Sequence, residues 1–183
     1  MEFRPTSLKD AMLILSESLS DERGWFMRVF CNRELADAGL ESVFHQRNTS
    51  HNHRRGTLRG MHFQRPPHAE VKIVRCIRGA IHDVIIDLRP SSPTFLRWEG
   101  FTLTEDSPTQ VYVPRGFAHG YLTLADDSAV SYTVSAYYAP EAEGGVRWDD
   151  PCFAIDWPEP VHLASKKDRA WPDFDPATGG LEC

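Results

Sequence analysis

The sequence has few cysteines, no paired cysteine motif and no long apolar run. Its four cysteines, Cys31, Cys76, Cys152 and Cys183, are far apart and include no CxxC pair, so neither a cysteine zinc site nor a redox motif is indicated. We predict reduced thiols in a cytoplasmic protein. No stretch approaches the ~20 apolar residues that a membrane-spanning helix needs, and the first residues lack the basic segment and cleavage site of a signal peptide. We therefore expect no membrane segment and no signal peptide.

The sequence also lacks a block of basic residues. The formal net charge is −6, and the 20 lysines and arginines are scattered along the chain. A nucleic-acid-binding surface usually shows clustered basic residues. We therefore predict no nucleic-acid partner, although a local basic pocket for an anionic ligand is compatible with this charge.

Most of the sequence has the pattern of short strands separated by turns. We predict strands at residues 11–16, 71–77, 80–88, 95–103, 110–113, 119–124 and 129–138. Asn32 is predicted to cap a short helix at 33–38, and a last helical turn is predicted at 163–168. Without strand–helix alternation, repeats or linkers, this pattern favours one all-β domain over residues 1–183, a sandwich or barrel with a few short peripheral helices.

The stretch from Gly56 to Gly79 has the spacing of the first motif of a cupin barrel. Where a metal-binding cupin has His-x-His and a glutamate, this sequence has His62, Gln64 and Lys72. A carboxamide is a weak ligand, and a charged lysine has no free lone pair. We therefore predict the scaffold of a cupin metal site without its ligands, and expect neither metal nor cofactor.

A second cupin motif, Pro-x-Gly-x-x-His, ends at His119, which we expect to be a neighbour of His62. Side chains alternate between the two faces of a strand. His62 and Gln64 therefore share one face. On the last long strand, the apolar face is predicted to point into the barrel, and it carries Tyr132 and Tyr138.

Seven segments occur in the order and spacing of one enzyme family. They are Asp21–Gly24, Gln46–Ser50, Leu58–Gln64, Asp83–Arg89, Ser92–Phe95, Pro114–Gly120 and Trp148–Pro151. Over about residues 3–170 the sequence resembles the dTDP-4-dehydrorhamnose 3,5-epimerase family. The resemblance implies a cofactor-free, cupin-type jelly-roll barrel that acts on a nucleotide-linked 4-keto-6-deoxy sugar, with dTDP as the nucleotide. It also implies a homodimer that exchanges N-terminal strands, within about residues 1–45, and a C-terminal tail at about 161–183.

The resemblance implies roles for individual residues as well. His62 matches the general base of the family, Tyr132 the proton donor, and Asp168 the carboxylate paired with the base. The matches to the cationic and polar residues of the cavity are Lys72, Arg59, His119 and Asp83. The matches to positions that contact the nucleotide are Arg23, Phe26, Gln46, Asn48 and Tyr138.

Epimerisation next to a ketone requires such a set of groups. One proton leaves the carbon and another returns to the opposite face, through an enolate with its charge on the ketone oxygen. An imidazole, with an ordinary pKa near ~6.5, can accept the proton. A carboxylate such as that of Asp168 fixes the imidazole tautomer, and a phenol can donate from the other side. Lys72 is the best candidate to stabilise the enolate oxygen.

Each of these residues also has a purely structural interpretation. A lone histidine in a strand is more often hydrogen-bonded than catalytic, and Tyr132 taken alone is more often a core tyrosine. Lys72 and Arg59 taken alone are ordinary strand charges. The remaining histidines are predicted to be surface or structural residues: His45, His51, His53, His68, His82 and His162.

Four departures from the family pattern leave the substrate open. They are Arg28, Arg47, Asn52 and Glu70, several of them near positions that border the nucleotide. An enzyme that epimerises only carbon 3 or only carbon 5 of a different nucleotide sugar is therefore an alternative. A metal-dependent cupin isomerase or oxygenase is a second alternative, but His62 and His119 supply only two ligands. A catalytically inactive sugar-binding cupin would be expected to lose the base or its partners, which this sequence keeps.

Overall fold

The computed structural model describes residues 1–182, which form two antiparallel β-sheets packed face to face, and a separate hairpin. The strands are β1 (Glu2–Pro5), β2 (Met12–Leu15), β3 (Ser18–Asp21), β4 (Gly24–Met27), β5 (Gln46–Asn52), β6 (Leu58–Gln64), β7 (Lys72–Arg78), β8 (Ala80–Asp87), β9 (Trp98–Thr104), β10 (Thr109–Val113), β11 (Phe117–Thr123), β12 (Ser128–Val134) and β13 (Glu143–Gly145). The helices are α1 (Asn32–Asp37), α2 (Lys166–Arg169) and a 3₁₀ turn (Pro140–Ala142). None of the helices in this part of the chain is long and apolar enough to cross a membrane.

The strand order is that of a jelly roll. The six-stranded sheet has the order β1-β2-β10-β7-β12-β5, the five-stranded sheet the order β13-β6-β11-β8-β9, and β3 pairs with β4. Within residues 1–182 the two sheets share no hydrogen-bonded strand pair, so the barrel is not closed. The predicted all-β jelly-roll fold with a few short peripheral helices is confirmed.

The apolar core fills one end of the space between the sheets. Val74 and Val130 from the six-stranded sheet pack against Ile85 and Phe117 from the five-stranded sheet, and all four are nearly inaccessible to solvent. Burial of a side chain of this size contributes about 1.5–3 kcal/mol. Strands β7 and β12 extend beyond this core. The side chains at the start of β7 and at the end of β12 therefore line an open, more polar space.

Several element boundaries differ from the sequence predictions by one to four residues. Strand β12 ends at Val134 rather than at residue 138, because the Ser135 hydroxyl accepts the backbone N–H of Val71 and the chain then turns away. Strand β9 begins at Trp98, since the Asp87 carboxylate accepts the hydroxyls of residues 92 and 94 and holds that segment as turns. Asn32 is the first residue of α1, and the capping residue is Cys31, without a side-chain cap.

Two glycines set the contact between β6 and β11. Gly60 has a left-handed φ of 129°, and a Cβ atom on it would lie 2.5 Å from the Cα of Gly120. Only glycine permits this approach of two backbones. The pairing is irregular between His119 and Tyr121, and it places His119 directly opposite His62. The two motif histidines are therefore neighbours, as predicted.

The described cysteines form no disulfide. Cys31, Cys76 and Cys152 are free thiols, whereas the fourth predicted thiol, Cys183, lies outside the described residues. Burial raises the pKa of the Cys76 thiol to about 11, so this group stays protonated and unreactive near neutral pH.

Candidate active site

A cavity of about 430 Å³ opens between the two sheets, at the end away from the apolar core. An adjoining space of about 190 Å³ shares three of its lining residues, His62, Lys72 and Tyr132. His62 comes from β6 of the five-stranded sheet, while Lys72 and Tyr132 come from β7 and β12 of the facing sheet. A molecule in the cavity would therefore have His62 on one side and Tyr132 on the other.

His62 is hydrogen-bonded to a buried carboxylate. Its Nε2 lies 2.6 Å from Oδ1 of Asp168, which follows 106 residues later in the chain. The C-terminal segment reaches β6 because the backbone of Leu163 pairs beside Thr57, and the Ser165 hydroxyl then caps α2 by accepting the N–H of Asp168. Burial disfavours the charged form of Asp168, but the hydrogen bond and the charge of His62 lower the pKa of this carboxyl overall. The carboxylate is thus ionised near neutral pH and can stabilise an imidazolium.

His119 has a carboxylate partner of its own. Its Nε2 lies 2.7 Å from Oδ1 of Asp83 on β8. Asp83 is fully buried behind His119. Contrary to the prediction, it therefore does not line the cavity itself, but contacts a residue that does. The His62 side chain is 31% exposed and the His119 side chain 9%. Of the two imidazoles, His62 is the more accessible from the cavity.

Lys72 is held by an acid in the cavity wall, Glu70. Its Nζ lies 3.2 Å from Oε1 of Glu70 and 3.4 Å from the backbone oxygen of His62. The other oxygen of Glu70 accepts a hydrogen bond from the Gln64 amide, whose own oxygen accepts the N–H of Ala139. The lysine therefore has a defined position, fixed by the Glu70 side chain from the loop before β7 and by the backbone of β6.

Tyr132 is a protonated phenol at neutral pH. Burial raises the pKa of its hydroxyl, partly offset by the positive charge of Arg59. Arg59 lines the smaller space and is anchored on β5, where its Nε donates to Oδ1 of Asn52 at 2.7 Å. Besides two hydrogen-bonded tyrosines, Tyr121 and Tyr138, the cavity thus contains the Tyr132 phenol as a candidate proton donor and two cations able to attract negative charge.

Three predicted nucleotide contacts lie at the cavity mouth. Gln46 and Asn48 alternate inward on β5 and line the larger space. Tyr138 also lines it, but from the loop after β12, where its side chain is 59% exposed and its hydroxyl donates to Glu143. The prediction that Tyr138 points inward on a strand is wrong, because β12 ends before it.

The other two predicted nucleotide contacts do not reach this cavity in the described chain. Arg23 lies in the β3–β4 turn, where it is 85% exposed and paired with Asp21. Phe26 on β4 is 66% exposed and lines a different groove, together with Arg28 and Arg47. Both residues belong to the exposed hairpin rather than to the cavity wall.

Sequence reasoning missed several lining residues. Ser50 could have been predicted, because it continues the inward alternation of Gln46 and Asn48 along β5. Glu70 was noted only as a departure from a family pattern, although it pairs with Lys72. Glu143 follows a 3₁₀ turn and shows no spacing signal at all.

Comparisons of the sequence and of the structure with known proteins agree on one enzyme family. Residues 5–176 match the family model of dTDP-4-dehydrorhamnose 3,5-epimerase. The chain is 45% identical to a dTDP-4-dehydrorhamnose 3,5-epimerase of Methanothermobacter thermautotrophicus, over 93% of this chain and 94% of the relative.

Two crystal structures are also similar. That of a dTDP-4-dehydrorhamnose 3,5-epimerase from Bacillus anthracis, with TDP and PPi bound, is 40% identical with a TM-score of 0.91, over 94% of this chain and 99% of that one. That of a 3'-monoepimerase from Streptomyces bikiniensis, in complex with dTDP-quinovose, is 36% identical with a TM-score of 0.86, over 96% of this chain and 88% of that one.

Proposed function

Because the chain belongs to the dTDP-4-dehydrorhamnose 3,5-epimerase family, we propose that this isomerase inverts carbon 3, carbon 5 or both in a nucleotide-linked 4-keto-6-deoxy sugar. The observation that supports the proposal most directly is the placement of the His62–Asp168 pair and Tyr132 on facing sheets around one cavity. Inversion requires proton removal from one side of the sugar ring and proton delivery from the other.

In the proposed mechanism His62 is the general base. Its imidazole removes the proton next to the ketone, and the Asp168 carboxylate, 2.6 Å away, stabilises the imidazolium that forms. The positive charge of Lys72 stabilises the enolate oxygen, and Arg59 adds to the positive potential of the cavity. Tyr132 then gives its hydroxyl proton to the opposite face of the carbon.

The proposed substrate is a dTDP-linked sugar. One relative is described with TDP and PPi and another with dTDP-quinovose, and Gln46, Asn48 and Tyr138 lie at the mouth, where a nucleotide would leave the cavity. The second relative is a 3'-monoepimerase. Inversion of one centre only is therefore the alternative, and it uses the same base and donor.

We also propose a homodimer of one-domain subunits that exchange the β3–β4 hairpin. This hairpin exposes Leu19, Trp25 and Phe26, and large exposed apolar patches usually mark contact surfaces. Exchange would bring Arg23 and Phe26 to the partner's cavity, which explains why neither reaches the cavity of its own chain. The cytoplasmic location stays a prediction, supported by the free thiols of residues 31, 76 and 152.

The function is tested by solvent exchange. The enzyme is incubated with dTDP-4-keto-6-deoxyglucose in deuterated water, and deuterium at carbons 3 and 5 is followed by NMR. Exchange and inversion at both carbons identify a double epimerase, and at one carbon a single-centre enzyme. If neither carbon exchanges, the same assay with GDP-, CDP- and UDP-linked 4-keto sugars shows whether the enzyme uses a different nucleotide or the proposed reaction is incorrect. A lack of exchange with all four contradicts the proposal.

We expect Glu70 to position Lys72. Substitution by alanine removes the carboxylate 3.2 Å from Nζ, and hydrogen bonds to charged groups are worth about 1.5–3 kcal/mol. Glu70→Ala should therefore lower kcat/KM about tenfold or more, measured with the proposed substrate. Glu70→Gln, which keeps a hydrogen-bonding oxygen, should retain most of the activity, and exposed Glu141→Ala serves as a neutral control. Equal losses in the alanine and glutamine variants would show that the negative charge matters, not the position of Lys72.

A further inference from the structure

Two histidines and an aspartate form a cluster on the outer surface of the six-stranded sheet. His51 lies on β5, His53 directly follows this strand, and Asp127 lies in the turn between β11 and β12. One potential ligand atom from each lies within 4.8 Å of the other two, and all three residues are exposed. The cluster is built without His62 and His119, the two imidazoles of the cavity.

The strand geometry produces the cluster. Asn52 points inward, is buried, and donates from Nδ2 to the backbone oxygen of Ser128. Its two neighbours therefore point outward on the same side, as alternation along an extended chain requires. The backbone N–H of Asp127 donates to the oxygen of His53, and Oδ1 of Asp127 lies 3.5 Å from Nε2 of His51. The fold thus holds the carboxylate next to both imidazoles.

We propose that His51, His53 and Asp127 bind one Zn²⁺ ion. Two imidazole nitrogens and one carboxylate oxygen are a ligand set that zinc accepts, with water as the fourth ligand. Zinc bonds of about 2.0–2.2 Å place the ligands of a tetrahedral site roughly 3.3–3.6 Å apart. Small rotations of three solvent-exposed side chains bring atoms within 4.8 Å to that spacing. Mg²⁺ and Ca²⁺, which require oxygen ligands, do not fit this set.

Bound zinc would join an edge strand to a turn. Strand β5 is the last strand of the six-stranded sheet, and edge strands are the least restrained parts of a sheet. The same part of β5 holds Arg59, through Oδ1 of Asn52 and the backbone oxygen of His51. The ion therefore stabilises the strand that anchors a cation of the cavity, without entering the cavity itself.

The test uses tag-free, metal-depleted protein and isothermal titration with Zn²⁺, followed by metal analysis after gel filtration. We expect one Zn²⁺ per chain and a higher Tm in its presence, with no binding of Mg²⁺. His53→Ala and Asp127→Asn should each abolish both effects, whereas His68→Gln and His62→Ala should keep them.

Unchanged zinc binding in the His53 and Asp127 variants, or loss of binding in the His62 variant, would overturn the proposal, as would the absence of any zinc binding. His53→Ala should keep its solvent-exchange activity, which verifies folding independently of the metal. The outcome is separate from the proposed epimerase function, because neither His53 nor Asp127 lines the cavity.

Discussion

His62→Ala is expected to abolish deuterium exchange next to the ketone and net epimerisation together. In the proposed mechanism no step precedes proton removal, so the loss of the base stops both processes. Positioned general bases contribute about 10²- to 10⁴-fold to rates, and a drop of that size in the NMR exchange rate and in kcat is the expected result. The variant should remain folded, because the His62 side chain is partly exposed and its main partner, Asp168, is also held by the capped turn of α2.

The cavity contains a second imidazole, so this experiment distinguishes between two candidate bases. His119 lies opposite His62 in the strand register and has Asp83 as its own carboxylate partner. If the His62→Ala protein still exchanged and inverted the sugar at the rate of the unchanged enzyme, His62 would not be the base, and His119 would be the remaining candidate. His68→Ala, a substitution on the loop before β7, is the matched control and should change neither rate.

The sequence predicts those parts of the site that depend on local periodicity. The two cupin motifs place His62 and His119 on strands, and alternation puts His62 and Gln64 on one face of β6, where both line the cavity. The same periodicity fails where a strand ends. Tyr138 continues the spacing of Tyr132 in the sequence, but the Ser135 hydroxyl interrupts the ladder before it, so Tyr138 lies at the cavity mouth.

Periodicity does not predict contacts between segments that are far apart in the sequence. The distance between His62 and Asp168 depends on a backbone pairing of residues 57 and 163 and on the cap at Ser165, and no spacing in the sequence records either feature. Asp168 was placed by family resemblance alone. The Glu70–Lys72 pair was missed for the same reason. Glu70 lies in the loop before β7, where strand alternation does not apply, and its contacts with Lys72 and Gln64 result from packing.

Tyr132→Phe is expected to separate the two halves of the reaction. The phenylalanine ring keeps the packing of Tyr132 against the apolar core, while the proton donor is lost. Because burial raises the pKa of the Tyr132 hydroxyl, that group is protonated in the unchanged enzyme and available for donation. His62 can still remove the substrate proton and return deuterium to the same face. We therefore expect exchange within several-fold of the normal rate, with net inversion reduced by about 10²-fold or more.

The matched control is Tyr121→Phe, in the same cavity. The Tyr121 hydroxyl lies 2.6 Å from the Ser50 hydroxyl and accepts from the Asn52 amide, so its loss disturbs hydrogen bonding beneath Arg59 and should lower exchange and inversion in parallel. NMR on one sample gives both quantities, deuterium content in the recovered substrate and the amount of inverted product. A parallel loss in the Tyr132 variant would make Tyr132 a packing residue. A selective loss of inversion is explained only by a donor on the face opposite His62, which is the arrangement that the two facing sheets create.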